Sequence, residues 1–236
     1  MAAGPSEVAP WWAAAAQVLV EDLDAPALSD GDLHHLGRVL RLRPGSSVCA
    51  TDGQGGWRLC SFTGAAELDP TGEEGRHDPP PYEVGVGFAL VKGERPELAV
   101  QKLTELGVDR IAVFAARRSV VRWDEARGAK HLDRLRKVAR EACGQCRRLF
   151  VPTVELADLA SLRGEGAVVA QAGGRPLGQG DRMVLVGPEG GWEAEELEGV
   201  ETVTLGDHVL RAETAAITAG ALLTAVRSGA VRSVEP

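Results

Sequence analysis

Three consecutive prolines, Pro79, Pro80 and Pro81, close a run of glycine and charged residues that reads DPTGEEGRHDPPP over residues 69–81. Proline fixes its own φ, lacks a backbone N–H and biases the residue before it away from helix. Neither a helix nor a central strand continues through such a run. The stretch therefore reads as a linker, and it divides the chain into an N-terminal domain, residues 1–76, and a longer one, residues 77–236.

The shorter part reads mostly as β. Residues 17–21, 48–51 and 56–62 are strand candidates, with turns at Arg43-Pro44-Gly45 and Asp52-Gly53-Gln54-Gly55 between them. Leu33, Leu36, Val39 and Leu40 fall at helical spacing, so one short helix is expected within residues 33–42. A small β-barrel with one helix accommodates such a part. Arg38, Arg41 and Arg43 cluster on the same segment, either as phosphate contacts or as a solvated face. Trp11 and Trp12 read as core packing, with base stacking or an intersubunit contact as the other uses of such rings.

The longer part alternates strand and helix. Strands are expected at residues 82–91, 108–115, 150–154, 167–170, 183–186 and 202–205, and helices at 96–106, 125–143, 193–197 and 212–227. Pro96 and Gly107 punctuate the first helix at its two ends. This alternation predicts an α/β domain with a mainly parallel sheet covered on both faces.

Parallel sheets bind ligands beyond the carboxyl ends of their strands, so the strand-to-loop junctions are the places to search. One apolar strand runs directly into Gly187, Pro188, Glu189, Gly190, Gly191 and Trp192. Glycines permit a ligand to approach the backbone closely, and proline fixes the turn. A second junction reads LGDHVLRAET at residues 205–214, and a third is Ala170-Gln171-Ala172-Gly173-Gly174 at the end of its strand. A dinucleotide-binding fingerprint would sit between the first strand and the first helix. Here Gly85-Val86-Gly87 lies inside the first strand, so that competitor is not supported.

Composition removes other classes. No run of about 18 apolar residues is present, as a membrane span would need. The first ten residues hold no basic n-region, so no secretion signal is expected and the cytoplasm is the default. A net charge of −8 argues against coating nucleic acid by bulk electrostatics, and leaves room for local basic patches. Cys143 and Cys146 form a lone C-x-x-C without a second ligand pair, so no metal site is expected; these two, with Cys49 and Cys60, read as reduced thiols.

At these residues the chain resembles a known family. GPEGG (residues 187–191) followed by LGDHVLRAETAAITA (205–219) is similar to the paired C-terminal motifs of RsmE-type ribosomal RNA methyltransferases of the SPOUT superfamily. KGERPELAVQKLTELGVD (92–109), RSVVRWD (118–124), EACGQCRR (141–148) and HHLGRVLRLRPG (34–45) extend the likeness over nearly the whole chain, in order. One departure is VAPWWAAAAQVLVED (8–22), which has no basic residue where the family often carries an arginine.

The resemblance implies a PUA-like RNA-binding β-barrel followed by an α/β SPOUT domain with a deep trefoil knot, working as a homodimer. It implies S-adenosyl-L-methionine (SAM) as cofactor, and N3 of a uridine in the 16S rRNA of the small ribosomal subunit as methyl acceptor. The alternatives are a SPOUT enzyme acting on another RNA, or a non-catalytic RNA-binding module. Carried onto this chain, the cofactor contacts are Ala170, Gln171, Gly187, Pro188, Glu189, Gly190, Gly191, Leu205, Gly206, Leu210, Arg211 and Thr214. Arg211 is the candidate for stabilising charge on the uracil ring, with a surface pair to Glu213 or a phosphate contact as its other readings. Glu189 and Glu213 are further catalytic candidates. Glu189 could instead cap the helix after Trp192, and Thr214 and Glu213 could serve the start of the last helix. RNA contacts fall on Arg38, Arg41, Arg43, Arg118, Arg147 and Arg148, the last two at the end of a helix whose Arg134, Arg136, Lys137 and Arg140 make a basic face, with a solvated helix surface as its other reading. The last helix carries Ala215, Ala216, Ala219, Gly220 and Ala221, a small-residue surface for a partner subunit or for packing within the chain.

Overall fold

A computed structural model describes residues 9–90 and 95–231. Residues 1–8, read as lacking a leader, lie outside the described residues, as does Lys92 of the second motif. The chain splits into two compact units: one runs to Pro79 and takes in Cys143–Val151, and the other holds Pro80–Ala142 and the chain from Pro152 onward.

In the first unit, β1 (Ala16–Leu19), β2 (Ser47–Thr51), β3 (Gly56–Phe62) and β4 (Leu68–Arg76) form one sheet in that order. β1 pairs with β2 in parallel, and the other two pairings are antiparallel. Strand alternation sends Val48 and Ala50 to one face with Val18, Leu36, Cys60 and Phe62, and Cys49 to the other with Ala14, Trp57 and Leu149. Trp11 packs in this second cluster, 5.2 Å from the Trp57 ring, while Trp12 is exposed.

β4 corrects the linker reading, because residues 69–76 pair with β3 out to Gly56↔Arg76. Only Leu68 of this strand is buried, and Pro70 is tolerated because β4 lies at the sheet edge. The break begins after Arg76.

Helix α1 (Asp30–His34) starts where Ser29 accepts the Asp32 N–H, and it widens into a π-type turn over His35–Val39. The Leu40 N–H donates to the His35 carbonyl at 2.9 Å, and Arg41 follows with φ of 54°, a left-handed conformation uncommon for a residue with a side chain. Leu36 faces the core, and Arg38, Arg41 and Arg43 point outward.

The second unit holds β5 (Gly85–Ala89), α2 (Arg95–Leu106), β6 (Arg110–Phe114), α3 (Glu125–Cys146), β7 (Thr153–Leu156), α4 (Leu159–Gly164), β8 (Val168–Arg175), β9 (Met183–Val186), α5 (Ala194–Leu197), β10 (Thr202–Val203) and α6 (Ala212–Arg227), the end of α3 counting with the first unit. The strand order is β10-β8-β9-β5-β6-β7, and every pairing is parallel. Both faces are apolar, as a covered parallel sheet requires. Val86, Phe88, Ile111, Val113, Val184 and Val186 meet α2, α3 and α6 on one side. Ala89, Ala112, Phe114, Val169 and Leu185 meet Leu162 and Trp192 on the other.

Two readings of this unit change. Phe150 is not in a strand of this sheet; it bridges to Gln54 in the first unit. The strand beginning at Val168 does not end at Ala170 but continues to Arg175. The small-residue surface of α6 is spent inside the chain, since a Cβ on Gly220 would stand 2.5 Å from Leu103 Cδ2 on α2. At the other end of α6, Arg227 forms a nearly buried ion pair with Asp109 and donates to the Gly107 carbonyl at 2.7 Å.

Candidate functional site

Because all six strands are parallel, their carboxyl ends share one edge of the sheet, and β10, β8 and β9 stand side by side there. The three glycine-bearing junctions of the sequence belong to these three neighbouring strands. β9 leads into Gly187, Pro188, Glu189, Gly190 and Gly191, where the Gly191 N–H closes a turn on the Pro188 carbonyl at 2.8 Å. A Cβ on Gly187 would stand 2.7 Å from the Trp192 indole, so only hydrogen fits. Trp192 stacks on Phe114 at 5.9 Å and donates its Nε1–H to the Ala170 carbonyl at 3.3 Å, fastening the β9 loop to β8.

Along β8, Val169 pairs with Thr202 and Arg175 with Val203, so Ala170, Gln171, Ala172, Gly173 and Gly174 form an excursion between two anchored points. Arg175 sets the second anchor. Its two terminal nitrogens each donate to Asp181 at 2.8 Å, and its Nε donates to Glu201 at 2.9 Å. Burial alone would raise the Asp181 pKa, yet hydrogen bonds from Arg175 and the Gly178 N–H hold this carboxyl below the usual range.

The β10 loop turns on Thr204, whose hydroxyl donates to the Gly206 carbonyl at 3.0 Å. Gly206 has φ of 135°, which a side chain would strain. Leu205 and Leu210 are half-buried against the core, whereas Val209 is 97% exposed. Among the described residues no backbone hydrogen bond ties down Leu205, Asp207, His208 or Val209, so their polar main-chain groups are available.

α6 begins at Ala212 with Arg211 as its N-cap residue, so Thr214 is a first-turn residue rather than the cap. The Arg211 side chain is exposed and has no ion pair or hydrogen bond among the described residues. Glu213 does not pair with it. Instead Arg95, at the first position of α2, stands 3.7 Å from Glu213 Oε1 and hydrogen-bonds Glu189. Glu213 Oε2 is buried without a hydrogen-bond partner, a state costing about 1–3 kcal/mol for a polar group. Glu189 caps no helix either, because Glu193 and Glu196 form the capping box of α5 themselves. Arg118 donates to Glu193 at 2.7 Å and to the Gly190 carbonyl at 3.0 Å. The guanidinium lowers the Glu193 pKa.

Two family models match the chain: an RNA methyltransferase domain over residues 78–224 and an RNA methyltransferase PUA domain over residues 28–67. The ribosomal RNA small subunit methyltransferase E of Mycobacterium tuberculosis is 35% identical over 84% of this chain and 86% of its own length. The chain belongs to this family. The Bacillus subtilis member is 28% identical over 83% of this chain and 88% of its own. Among solved structures, the Neisseria gonorrhoeae member bound to S-adenosyl methionine superposes with a TM-score of 0.78 at 27% identity, covering 89% of this chain and 97% of that one. A Legionella pneumophila protein in complex with SAM gives 0.79 at 27% identity, with the same coverage.

Family membership directs attention to the arginines. Arg38, Arg41 and Arg43 are exposed, and no acidic partner meets their side chains among the described residues. Arg147 is occupied: it donates to the Ala14 and Ala15 carbonyls at 2.9 and 3.1 Å, and its other terminal nitrogen is buried. Arg148 is half-buried beside it, and its carbonyl accepts from Gln17 at 2.8 Å. Arg118 is occupied by the β9 loop, as described above. The sequence reading missed Arg95 and Arg175, which meet their carboxylates only through folding; the charged first turn of α2 was the one visible sign of Arg95.

Among the described residues no helix is long and apolar enough to cross a membrane, and no group of three or more potential ligands is placed to hold a metal. Cys49, Cys60 and Cys143 are buried, and burial pushes the Cys49 thiol up to about 12.

Proposed function

We propose that this chain transfers a methyl group from SAM to N3 of a uridine in 16S rRNA of the small ribosomal subunit. The observation that carries the reading is that the Ala170–Gly174 excursion of β8 and the loops after β9 and β10 belong to three neighbouring strands, with Arg211, unpaired among the described residues, at the rim of the β10 loop. The uridine N3 is the acceptor that the motif resemblance implies.

The residues fit the cofactor. Leu205 and Leu210 offer apolar walls for an adenine, and the main-chain groups of Leu205, Asp207, His208 and Val209 supply donors and acceptors for its edge. Where a Cβ of Gly206 would point there is open space. Ala170, Gln171, Gly187, Pro188, Glu189, Gly190, Gly191, Arg211 and Thr214 complete the proposed contact set. When bound, SAM supplies an electrophilic methyl group.

The protein's task in an in-line transfer is positioning and charge stabilisation. Arg211, whose guanidinium has no partner among the described residues, is placed to stabilise the negative charge of a uracil that has lost its N3 proton. Glu189, in the β9 loop, and Glu213, in the first turn of α6, are the candidates for accepting that proton.

Arg38, Arg41 and Arg43 carry the proposed RNA contact of the first unit, whose sheet we take to be a PUA-like barrel, while residues 77–236 form the methyltransferase domain. Arg118 and Arg147 contribute only if their internal partners are released, and Arg148 only through the exposed part of its half-buried side chain. The trefoil knot, the homodimer and cytoplasmic placement complete the reading. The knot rests on the family membership and on the adjacency of the three loops, and the dimer on the resemblance alone, since the small face of α6 is already used.

The experiment is a pair of measurements. Calorimetry should show one SAM per chain, and mapping of modified nucleotides in rRNA from a deletion strain should show one uridine N3-methyl missing and restored by this chain. An intact methylation pattern in the deletion strain would refute the reaction, and absent SAM binding would refute the site. Sedimentation of the purified protein decides the dimer.

A further inference from the structure

Three features outside the proposed reaction stand out: the Trp11–Trp57–His77 ring cluster, the Arg175–Asp181–Glu201 anchor, and Arg95. Arg95 is carried furthest by what surrounds it. It belongs to α2, yet both carboxylates it meets lie more than ninety positions later in the sequence, Glu189 in the loop after β9 and Glu213 in the first turn of α6. No hydrogen bond or ion pair joins Glu189 to Glu213 directly among the described residues; the guanidinium is the link between them. Its planar fork can serve two carboxylates at once, which a lysine ammonium on a flexible stem does with far less directional control. By taking up Glu213 Oε1, it also leaves Oε2 as the oxygen without a partner.

We propose that Arg95 is a positioning residue that ties the Gly187–Gly191 loop to the start of α6, so that the two sides of the cofactor site are held as one body. The inference rests on the cofactor site proposed above, and it assigns no group that touches substrate. Its consequence is communication: a change at Glu189 reaches the backbone of residues 212–214 through the guanidinium.

Amide hydrogen exchange on the ligand-free protein tests this without any reaction. Glu189→Gln should raise exchange severalfold at residues 212–214 as well as in its own loop. In an Arg95→Ala background the same substitution should add nothing at 212–214. Arg95→Ala should also weaken SAM binding about tenfold, as expected when a preorganised site loosens, and Arg95→Lys should recover only part of it. Exchange at 212–214 that ignores Glu189→Gln, or that responds equally with and without Arg95, overturns the proposal. Should Arg95→Ala fail to fold, the comparison is made in Arg95→Lys, where a response at 212–214 as large as in the parent overturns it. If the unmodified protein binds no SAM, the site assignment fails, and the exchange experiment still decides whether Arg95 couples the two segments.

Discussion

Two regions of the molecule, residues 35–43 and the segments around the parallel sheet, use arginine in opposite ways. In the first, Arg38, Arg41 and Arg43 stand on or beside a π-type turn, exposed and without acidic partners. In the second, Arg95, Arg118, Arg175 and Arg227 are each engaged by carboxylates, Arg175 by near ones and the other three by partners 94, 75 and 118 positions away. Arg211 stands apart as the proposed site's unpaired arginine among the described residues. An arginine whose charge is met internally contributes to shape, and one left unmet is available to an outside anion. The chain carries a net charge of −8, so on the proposed reading this division, rather than the total, is what would let an acidic protein hold RNA.

The contrast breaks most visibly at Arg227. Its side chain is 12% exposed and that of Asp109 is 11% exposed, so Arg227→Ala removes the cationic partner of a nearly buried carboxylate, which then has the neutral Val84 N–H in place of a charge. A loss of about 3–5 kcal/mol in urea unfolding is expected; a loss below about 1 kcal/mol would mean that the internal arginines are not structural. Next comes the β9 loop, where a Cβ on Gly190 would stand 3.2 Å from Arg118 Cβ. Gly190→Val should weaken SAM binding at least a hundredfold, about 2.7 kcal/mol, while leaving the far-UV spectrum unchanged. Unaltered affinity would remove the loop from the cofactor site.

On the other side of the comparison, Arg38→Ala with Arg41→Ala should shift unfolding by no more than about 0.5 kcal/mol and leave SAM affinity alone. RNA affinity should fall, and the slope of log K against log salt should drop by about two. If stability falls instead, these charges have internal partners and the contrast collapses. The smallest effect is a pH dependence at the Arg175 anchor. The Asp181 pKa is lowered in the folded protein, so its contribution is full above about pH 4, the unfolded carboxyl value, and is lost as pH falls through the lower folded value. Asp181→Asn should therefore flatten the acid limb of the stability curve; an unchanged limb would mean that the carboxyl carries no such contribution.

Much of this was legible in the sequence, for reasons that differ by element. β9 and α6 were placed over their observed spans because unbroken apolar runs and helical spacing are local signals. β4 was not, because an edge strand with one buried residue, a proline and two glycines has neither alternation nor β-rich composition. The three loops were legible as glycine-rich junctions, but their adjacency comes from the order β10-β8-β9, which no local pattern encodes. Glu189 and Glu213 were named while Arg95 was not, since a partner brought in by long-range folding leaves no mark beside either residue.

The same strand order sets a timetable for a chain emerging from the ribosome. β5 finds one neighbour soon after it is made, in β6, but its other edge waits for Met183–Val186. Until then Val86 and Phe88 sit in a strand with an open side, the kind of non-local pairing that folds late and invites aggregation. Nascent chains stalled before residue 183 should remain protease-sensitive throughout β5 and β6, and release of a few further residues should protect both strands together.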